Sequence, residues 1–306
     1  IEGQIWYNTT TQTLKVAPLV SAWASGDNMS TARWGISSSG IQTAAFAAGG
    51  YTQEPPSPPT GGTNATEEYD GSSWTNGGNL GTTRYELGGA GYQTSGLAFG
   101  GEAPPGPMTA STEEYDGSSW TAGGNMGSGR RAIRGAGTQT AGLAFGGNPG
   151  PGTTNKTEEY DGSSWADGGN VSQSVQSMGG AGTQTAALAF GGNVPPTTDR
   201  TESYDGSSWT TVNSLPVAKK EGGGSGIQTA ALAFAGTPTT GSTDSWDGTN
   251  WTASATMGTA RKYLGSANFG PNTTSLAMGG TPGPLTGSNV TEEFTVAITT
   301  RSVDTT

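Results

Sequence analysis

Six times along this chain a tryptophan sets the spacing of the residues behind it. Trp74 is followed ten residues later by Arg84 and then by Gly100-Gly101, the pair ending 27 positions after the tryptophan. Trp120, Arg130 and Gly146-Gly147 repeat the spacing, as do Trp23, Arg33 and Gly49-Gly50. Trp209, Lys219 and Ala235-Gly236 keep it with softer chemistry, and Trp165 keeps it to Gly191-Gly192 with Val175 at the basic position. Trp251 with Arg261 reaches Gly279-Gly280 two residues late. Units of 42 to 51 residues are single supersecondary elements that cannot bury their own apolar face and must stack on their neighbours. The 306 residues therefore read as one repeat domain rather than two ordinary ones.

Without that repeat the composition would suggest low complexity: 31% hydrophobic, 12% charged, 54 Gly and 17 Pro. The recurrence of nine Trp, nine Tyr and seven Phe at fixed positions overrules it and suits short twisted strands packed face to face. A net charge of −11 speaks against nucleic acid, whose phosphates demand a basic surface. No apolar run approaches the roughly 18 to 20 residues that cross a bilayer, so no membrane insertion is expected. The absence of Cys excludes disulfides and thiolate metal sites, and the absence of His removes the commonest general base and zinc ligand. The expectation is a non-catalytic chain with no cofactor and no metal. The chain opens at Ile1, the start expected of a processed, trimmed or partial chain.

Residues 66 to 101 show one unit. Thr66-Glu67-Glu68-Tyr69 is a short extended run, Asp70-Gly71-Ser72-Ser73 a turn, and Trp74 begins the return strand. A Gly/Ala-rich stretch follows Arg84, Gln93-Thr94 turns the chain, and Ser95 to Phe99 runs into the Gly-Gly pair. Four strands per unit around an axis are propeller blades. The Gly/Ala-rich strand belongs innermost, where strands crowd and large side chains collide.

The pattern resembles the Kelch motif: Gly100-Gly101 closing a second strand, Tyr115 on the third, Trp120 behind it and Arg130 before the next unit, with Glu113 two residues ahead of the Tyr. The resemblance covers about residues 21 to 300 and implies an all-β, Kelch-like propeller; it is nearly silent on function, since this fold hosts enzymes, adaptors and lectin-like binders. Every Trp except Trp23 has a Tyr-type strand before it, and the missing strand stands at the far end as Thr291-Glu292-Glu293-Phe294. Six blades closed by a C-terminal strand are therefore expected, over a rival of seven incomplete blades starting at Gln4 to Tyr7. The domain reading is an N-terminal hairpin segment over 1–20, the propeller over 21–300 and a tail over 301–306. The hairpin, Gly3-Gln4-Ile5-Trp6-Tyr7-Asn8-Thr9-Thr10-Thr11, resembles those of phage tail-fibre and related virion proteins. That resemblance implies a virion-surface location, with other virion proteins, and a host surface glycan or receptor, as partners, and homo-oligomerisation through a longer parent chain or the virion assembly. Alternatives are a glycan-active enzyme, sialidase- or lyase-like, and a cellular Kelch adaptor.

Variation concentrates between each Gly-Gly pair and the next Tyr strand, in Pro/Gly/Thr-rich loops that should share one face of the disc. Loop length costs little closure entropy, so two readings stand side by side: a recognition surface, or tolerated surface loops with no ligand. The binding candidates are Tyr51, Gln53, Glu54, Glu102, Asn148, Asn155, Lys156, Asp199 and Arg200, with the loop from Tyr51 to Ala65 dominant. The repeated Asp70, Asp116, Asp161, Asp205 and Asp247 read as turn formers, and the paired glutamates and the Arg at Trp plus ten as structural and blade-to-blade elements.

Overall fold

The computed structural model describes residues 5–8, 13–16, 18–52, 61–283, 286–299 and 301–303. It is all-β among these residues: six four-stranded antiparallel sheets and one three-stranded sheet. Blade 1 runs from its inner strand Ser37–Ile41 through Ala44–Ala48 and Thr66–Tyr69 to the outer strand Trp74–Asn76. Blades 2 to 5 repeat this order, with inner strands Gly88–Tyr92, Arg134–Thr138, Gly179–Gly182 and Gly223–Ile227. Blade 6 comprises Gly265–Ser266, Thr274–Met278, Thr291–Ile298 and, as its outer strand, Leu19–Ser25 from the other end of the chain. The closing pair runs from Glu292 opposite Ser25 to Ile298 opposite Leu19, with Phe294 opposite Trp23. The molecule is a six-bladed β-propeller, and closure removes the open sheet edge that invites aggregation.

Why these residues make blades is visible at the seams, because the core lies between blades. Each of six apolar clusters spans two neighbours; one joins Leu143 and Phe145 of blade 3 to Ala187, Ala189 and Tyr204 of blade 4. The second-strand phenylalanine of one blade meets the outer-strand tryptophan of the next edge-on, as in Phe99–Trp165 and Phe190–Trp251 at 5.0 Å between ring centroids. At the sixth seam Met278 and Trp74 share one cluster instead.

The Thr-Glu-Glu-Tyr run is divided between partners. Its Thr accepts the indole N–H of the next blade's Trp: Trp120 to Thr66 at 2.9 Å, Trp165 to Thr112 at 2.9 Å, and so around to Trp74 and Thr291 at 3.0 Å. Its first acid takes the arginine ten residues after a Trp. Arg84 donates to Glu113 at 2.7 Å and to the carbonyls of Gly100 and Ser111, all in blade 2, while its own carbonyl accepts the N–H of Gly50 in blade 1. Arg33–Glu67, Arg130–Glu158, Lys219–Asp244 and Arg261–Glu292 repeat the pair. Gly50 and its counterparts have positive φ, and a Cβ on Gly50 would sit 2.5 Å from Ile36. The second acid accepts the phenol of the next blade's Tyr, as Glu114 does from Tyr160 at 2.5 Å and Glu159 from Tyr204 at 2.6 Å. The turn aspartates behave as expected: Asp70 Oδ1 accepts from Ser72 N and Ser73 N at 2.8 Å, and these bonds hold its carboxyl down at about 2.

Val175 leaves Glu202 without the usual arginine. Ser172 supplies N–H and O–H bonds instead, at 3.0 and 2.7 Å, and Arg200 lies 3.6 Å away. One device escaped the sequence reading. Gln42, Gln93, Gln139, Gln184 and Gln228, at the inner hairpin turns, donate to carbonyls of the preceding blade, and Asn272 does so in the sixth place.

The antiparallel order puts the Gly-Gly loops and the interblade linkers on one face of the disc and the Asp-Gly and Gln turns on the other. The third strand of blade 6 leaves on the turn face, where Val296 N bonds Thr273 O and Thr299 N bonds Pro18 O. Beyond it Ile5–Asn8, Thr13–Val16 and Arg301–Val303 form the three-stranded terminal sheet, with Leu14 opposite both Tyr7 and Val303. The turn expected after Asn8 lies outside the described residues.

Candidate binding surface at the mouth of the axial channel

The linkers end on a feature built around the axis. Twelve residues after each Trp stand Gly35, Glu86, Ala132, Ser177, Glu221 and Tyr263. All six have left-handed backbone, with φ from 50° at Ala132 to 63° at Gly35 and Glu221. For the five that are not glycine this costs on the order of 1 kcal/mol each. A closed circuit of backbone bonds holds them there: Glu86 N to Gly35 O at 2.7 Å, Ala132 to Glu86 at 2.8 Å, Ser177 to Ala132 at 2.9 Å, Glu221 to Ser177 at 2.9 Å, Tyr263 to Glu221 at 2.7 Å and Gly35 to Tyr263 at 2.9 Å.

Two further rings surround this one. The residues just before it, Trp34, Tyr85, Arg131, Gln176, Lys220 and Lys262, form single β-bridges to Tyr51, Glu102, Asn148, Asn193, Thr237 and Thr281, the first loop residues after each Gly-Gly or Ala-Gly pair. The mouth is thus aromatic on one side and charged on the other. Trp34 packs against Tyr51, Tyr85 and Tyr263 with centroids 5.3 to 5.8 Å apart. Arg131 lies 2.8 Å from Glu102 and 3.6 Å from Glu86. Glu221 accepts the Tyr263 phenol at 2.8 Å and the Thr237 hydroxyl at 2.5 Å, with Lys220 at 3.4 Å and Lys262 at 3.9 Å. Burial pushes the Glu86 carboxyl up to about 7, with Arg131 pulling the other way and Glu102 and Glu221 adding to the rise. The Tyr263 phenol is pushed up strongly by burial and by both Glu221 and Glu86.

The sequence candidates divide. Tyr51, Glu102 and Asn148 meet in the mouth's outer ring; Tyr51 is only 8% exposed, its ring held between Trp34 and Tyr85. Asn155, Lys156, Asp199 and Arg200 lie where loops re-enter the third strands. The Asn155 and Asp199 carbonyls accept from Val171 and Leu215 at 3.1 and 2.9 Å, bonds repeated around the disc. Lys156 pairs with exposed Asp167 at 3.3 Å, and Arg200 serves Ser172 and Glu202. Gln53 and Glu54 lie outside the described residues. The linker residues Trp34, Tyr85, Glu86, Arg131, Lys220, Glu221, Lys262 and Tyr263 were missed. Their signal was a pair of positions, eleven and twelve after each Trp, that change identity inside an otherwise fixed frame.

Among the described residues no group of carboxylates could hold a metal ion and no helix is long and apolar enough to cross a membrane. No protein-family model matches the chain, and no curated protein matches it in sequence.

Proposed function

We propose that this chain is a non-catalytic structural component of a phage virion, a Kelch-like propeller displayed on a tail fibre or capsid surface with its loop face turned towards a host glycan, a receptor or a neighbouring virion protein. The polarity of the disc carries this reading. The terminal sheet, which brings both ends of the described chain together, leaves from the turn face, while the variable loops and the aromatic, charged mouth lie on the opposite face. A module tethered on one side and variable on the other suits display. The hairpin at residues 3–16 and its resemblance to virion proteins support the setting.

Mass spectrometry of purified particles tests the setting, and absence of this chain from them would sink it. The loop face is tested by reversing charge at Lys220 and Lys262, which should lower particle adsorption about tenfold if each contact contributes roughly 0.7 kcal/mol. Unchanged adsorption by a folded double variant moves the contact away from the mouth.

A glycan-active reading draws on one observation, a carboxyl that titrates near 7 beside the Tyr263–Glu221 pair. Against it, burial and the flanking carboxylates hold Tyr263 protonated, the opposite of an activated nucleophile. Turnover of any glycan in a substrate panel that disappears in Glu86→Gln and Glu221→Gln would favour this reading over display.

A further inference from the structure

Four arginines of this chain, Arg33, Arg84, Arg130 and Arg261, are fully buried, and each faces a glutamate. Arg134 is different. It starts the inner strand of blade 3, where the equivalent positions in the other blades are Ser37, Gly88, Gly179, Gly223 and Gly265. Its side chain crosses the axis, and Nη2 donates to Ser266 Oγ at 2.7 Å, Gly224 O at 3.2 Å and Asn268 Oδ1 at 3.3 Å, groups of blades 5 and 6. All three are neutral, and no carboxylate of the described residues lies within ion-pair distance; its Nε, like that of the four paired arginines, has no protein partner.

Arg134 lines two cavities. One, of about 70 Å³, lies under the channel mouth and is also lined by Glu86, Ser177, Glu221 and Tyr263; the other, smaller, is bounded by Ser38, Gly89 and Asn268. Around the mouth the charges match: Glu86, Glu102 and Glu221 against Arg131, Lys220 and Lys262. Arg134 is half-buried and is the surplus cation, partly desolvated by its surroundings with no counter-charge beside it. A cavity of this size admits a halide or a small carboxylate.

We propose that the axial channel binds one small monovalent anion against the Arg134 guanidinium, locking blade 3 to blades 5 and 6. Thermal unfolding of the full chain in increasing bromide, at ionic strength fixed with gluconate, tests it. Above half-saturation, Tm should rise by about 2 °C per tenfold in bromide, and Arg134→Gln should show no such rise. No rise in the unmodified chain, or an equal rise in both proteins, overturns the proposal. A formate series separates the two sources: a larger shift than bromide assigns the site to a carboxylate, a smaller one to a halide. If Arg134→Gln does not fold, crystals of the unmodified chain soaked in bromide decide the matter. An anomalous peak beside the Arg134 guanidinium upholds the site, and a channel without one overturns it.

Discussion

The seams between blades and the axis they surround follow opposite rules. At the seams a residue type is set by the residue it meets, so the pattern returns blade after blade and its departures come in sets. Tyr69, Tyr115, Tyr160 and Tyr204 each donate to the preceding blade's second acid, Glu293, Glu68, Glu114 and Glu159. Each phenol also needs the space left by a glycine three residues after that blade's Trp: a Cβ on Gly26, Gly77, Gly123 or Gly168 would lie 2.4 to 3.0 Å from the hydroxyl oxygen. Where blade 5 has Trp246 instead, the acid has become Ser203 and the glycine Val212; where blade 6 has Phe294, they are Ser245 and Ser254. The three positions change together because a phenol without its acceptor, or a carboxylate without its donor, leaves a polar group poorly paired. At the axis the backbone circuit is six-fold, yet its side chains are Gly, Glu, Ala, Ser, Glu and Tyr. Repetition marks what holds the disc together, and diversity on a repeated backbone marks what the disc presents.

Opening a seam should do the most damage. Removing Val290 to Thr306 deletes the strand that pairs Leu19–Ser25 with Thr274–Met278 and leaves two edges exposed. The expected outcome is loss of cooperative folding or aggregation. A truncated chain that melts like the intact one would refute the seam as the source of stability.

Next comes one buried charge. Arg84→Met keeps the bulk but strands Glu113 and the carbonyls of Gly100 and Ser111. It should cost about 3–5 kcal/mol in denaturant unfolding. Val175, at the same repeat position, shows how the chain avoids that cost, because Ser172 and Arg200 cover Glu202.

At the axis the effect is one of pH. The Glu86 carboxyl titrates at about 7 when folded, above its ordinary 4.5. Its contribution is therefore complete below pH 4.5 and is lost as pH rises through 7, about 3 kcal/mol in all. Unfolding free energy measured from pH 4.5 to 8 should fall less in Glu86→Gln than in the unmodified chain. An identical profile in both would mean that Glu86 is not desolvated by the mouth.

Seams were legible in the sequence, and the axis was not, for one physical reason. Trp, Tyr, Arg and Gly-Gly recur at fixed spacing because each answers a contact that also recurs, so six blades and the C-terminal closure could be read from spacing alone. The mouth residues answer no recurring contact. Glu86 and Tyr263 occupy the same backbone position and share no chemistry, and nothing local reveals that their left-handed conformation is imposed by a circuit of neighbours. Arg134 was hidden likewise, since the other inner strands begin with Gly or Ser and give no sign that one long side chain crosses to blades 5 and 6. Tyr51 was found for its ring, but the sequence could not show that Trp34 and Tyr85 already cover it.

The smallest effect is the sharpest test of the seam rule, because it builds a contact instead of removing one. Phe294 is 1% exposed and pairs with Trp23 at 5.2 Å between centroids, much as Tyr115 pairs with Trp120 at 4.8 Å. Changing Phe294→Tyr alone adds a hydroxyl with no acceptor and should destabilise by about 1 kcal/mol. Ser245→Glu alone gives up the hydroxyl that accepts from Asn272 at 3.3 Å and adds a partly buried carboxylate without the phenol donor of the other seams, and it should do the same. Together, with Ser254→Gly to open the space that Gly123 gives Tyr160, they recreate the Tyr–Glu–Gly set of the other seams. The comparison is a cycle run in the Ser254→Gly background, so that the loss of the Ser254–Ser21 hydroxyl contact cancels. The coupling between the Tyr and the Glu should be about 1–2 kcal/mol in favour of the pair. Additive single effects would mean that the three positions drift independently and that their joint changes in blades 5 and 6 are coincidence. A favourable coupling would make the seam set portable, each blade accepting its neighbour by three residues while the axis stays free to differ.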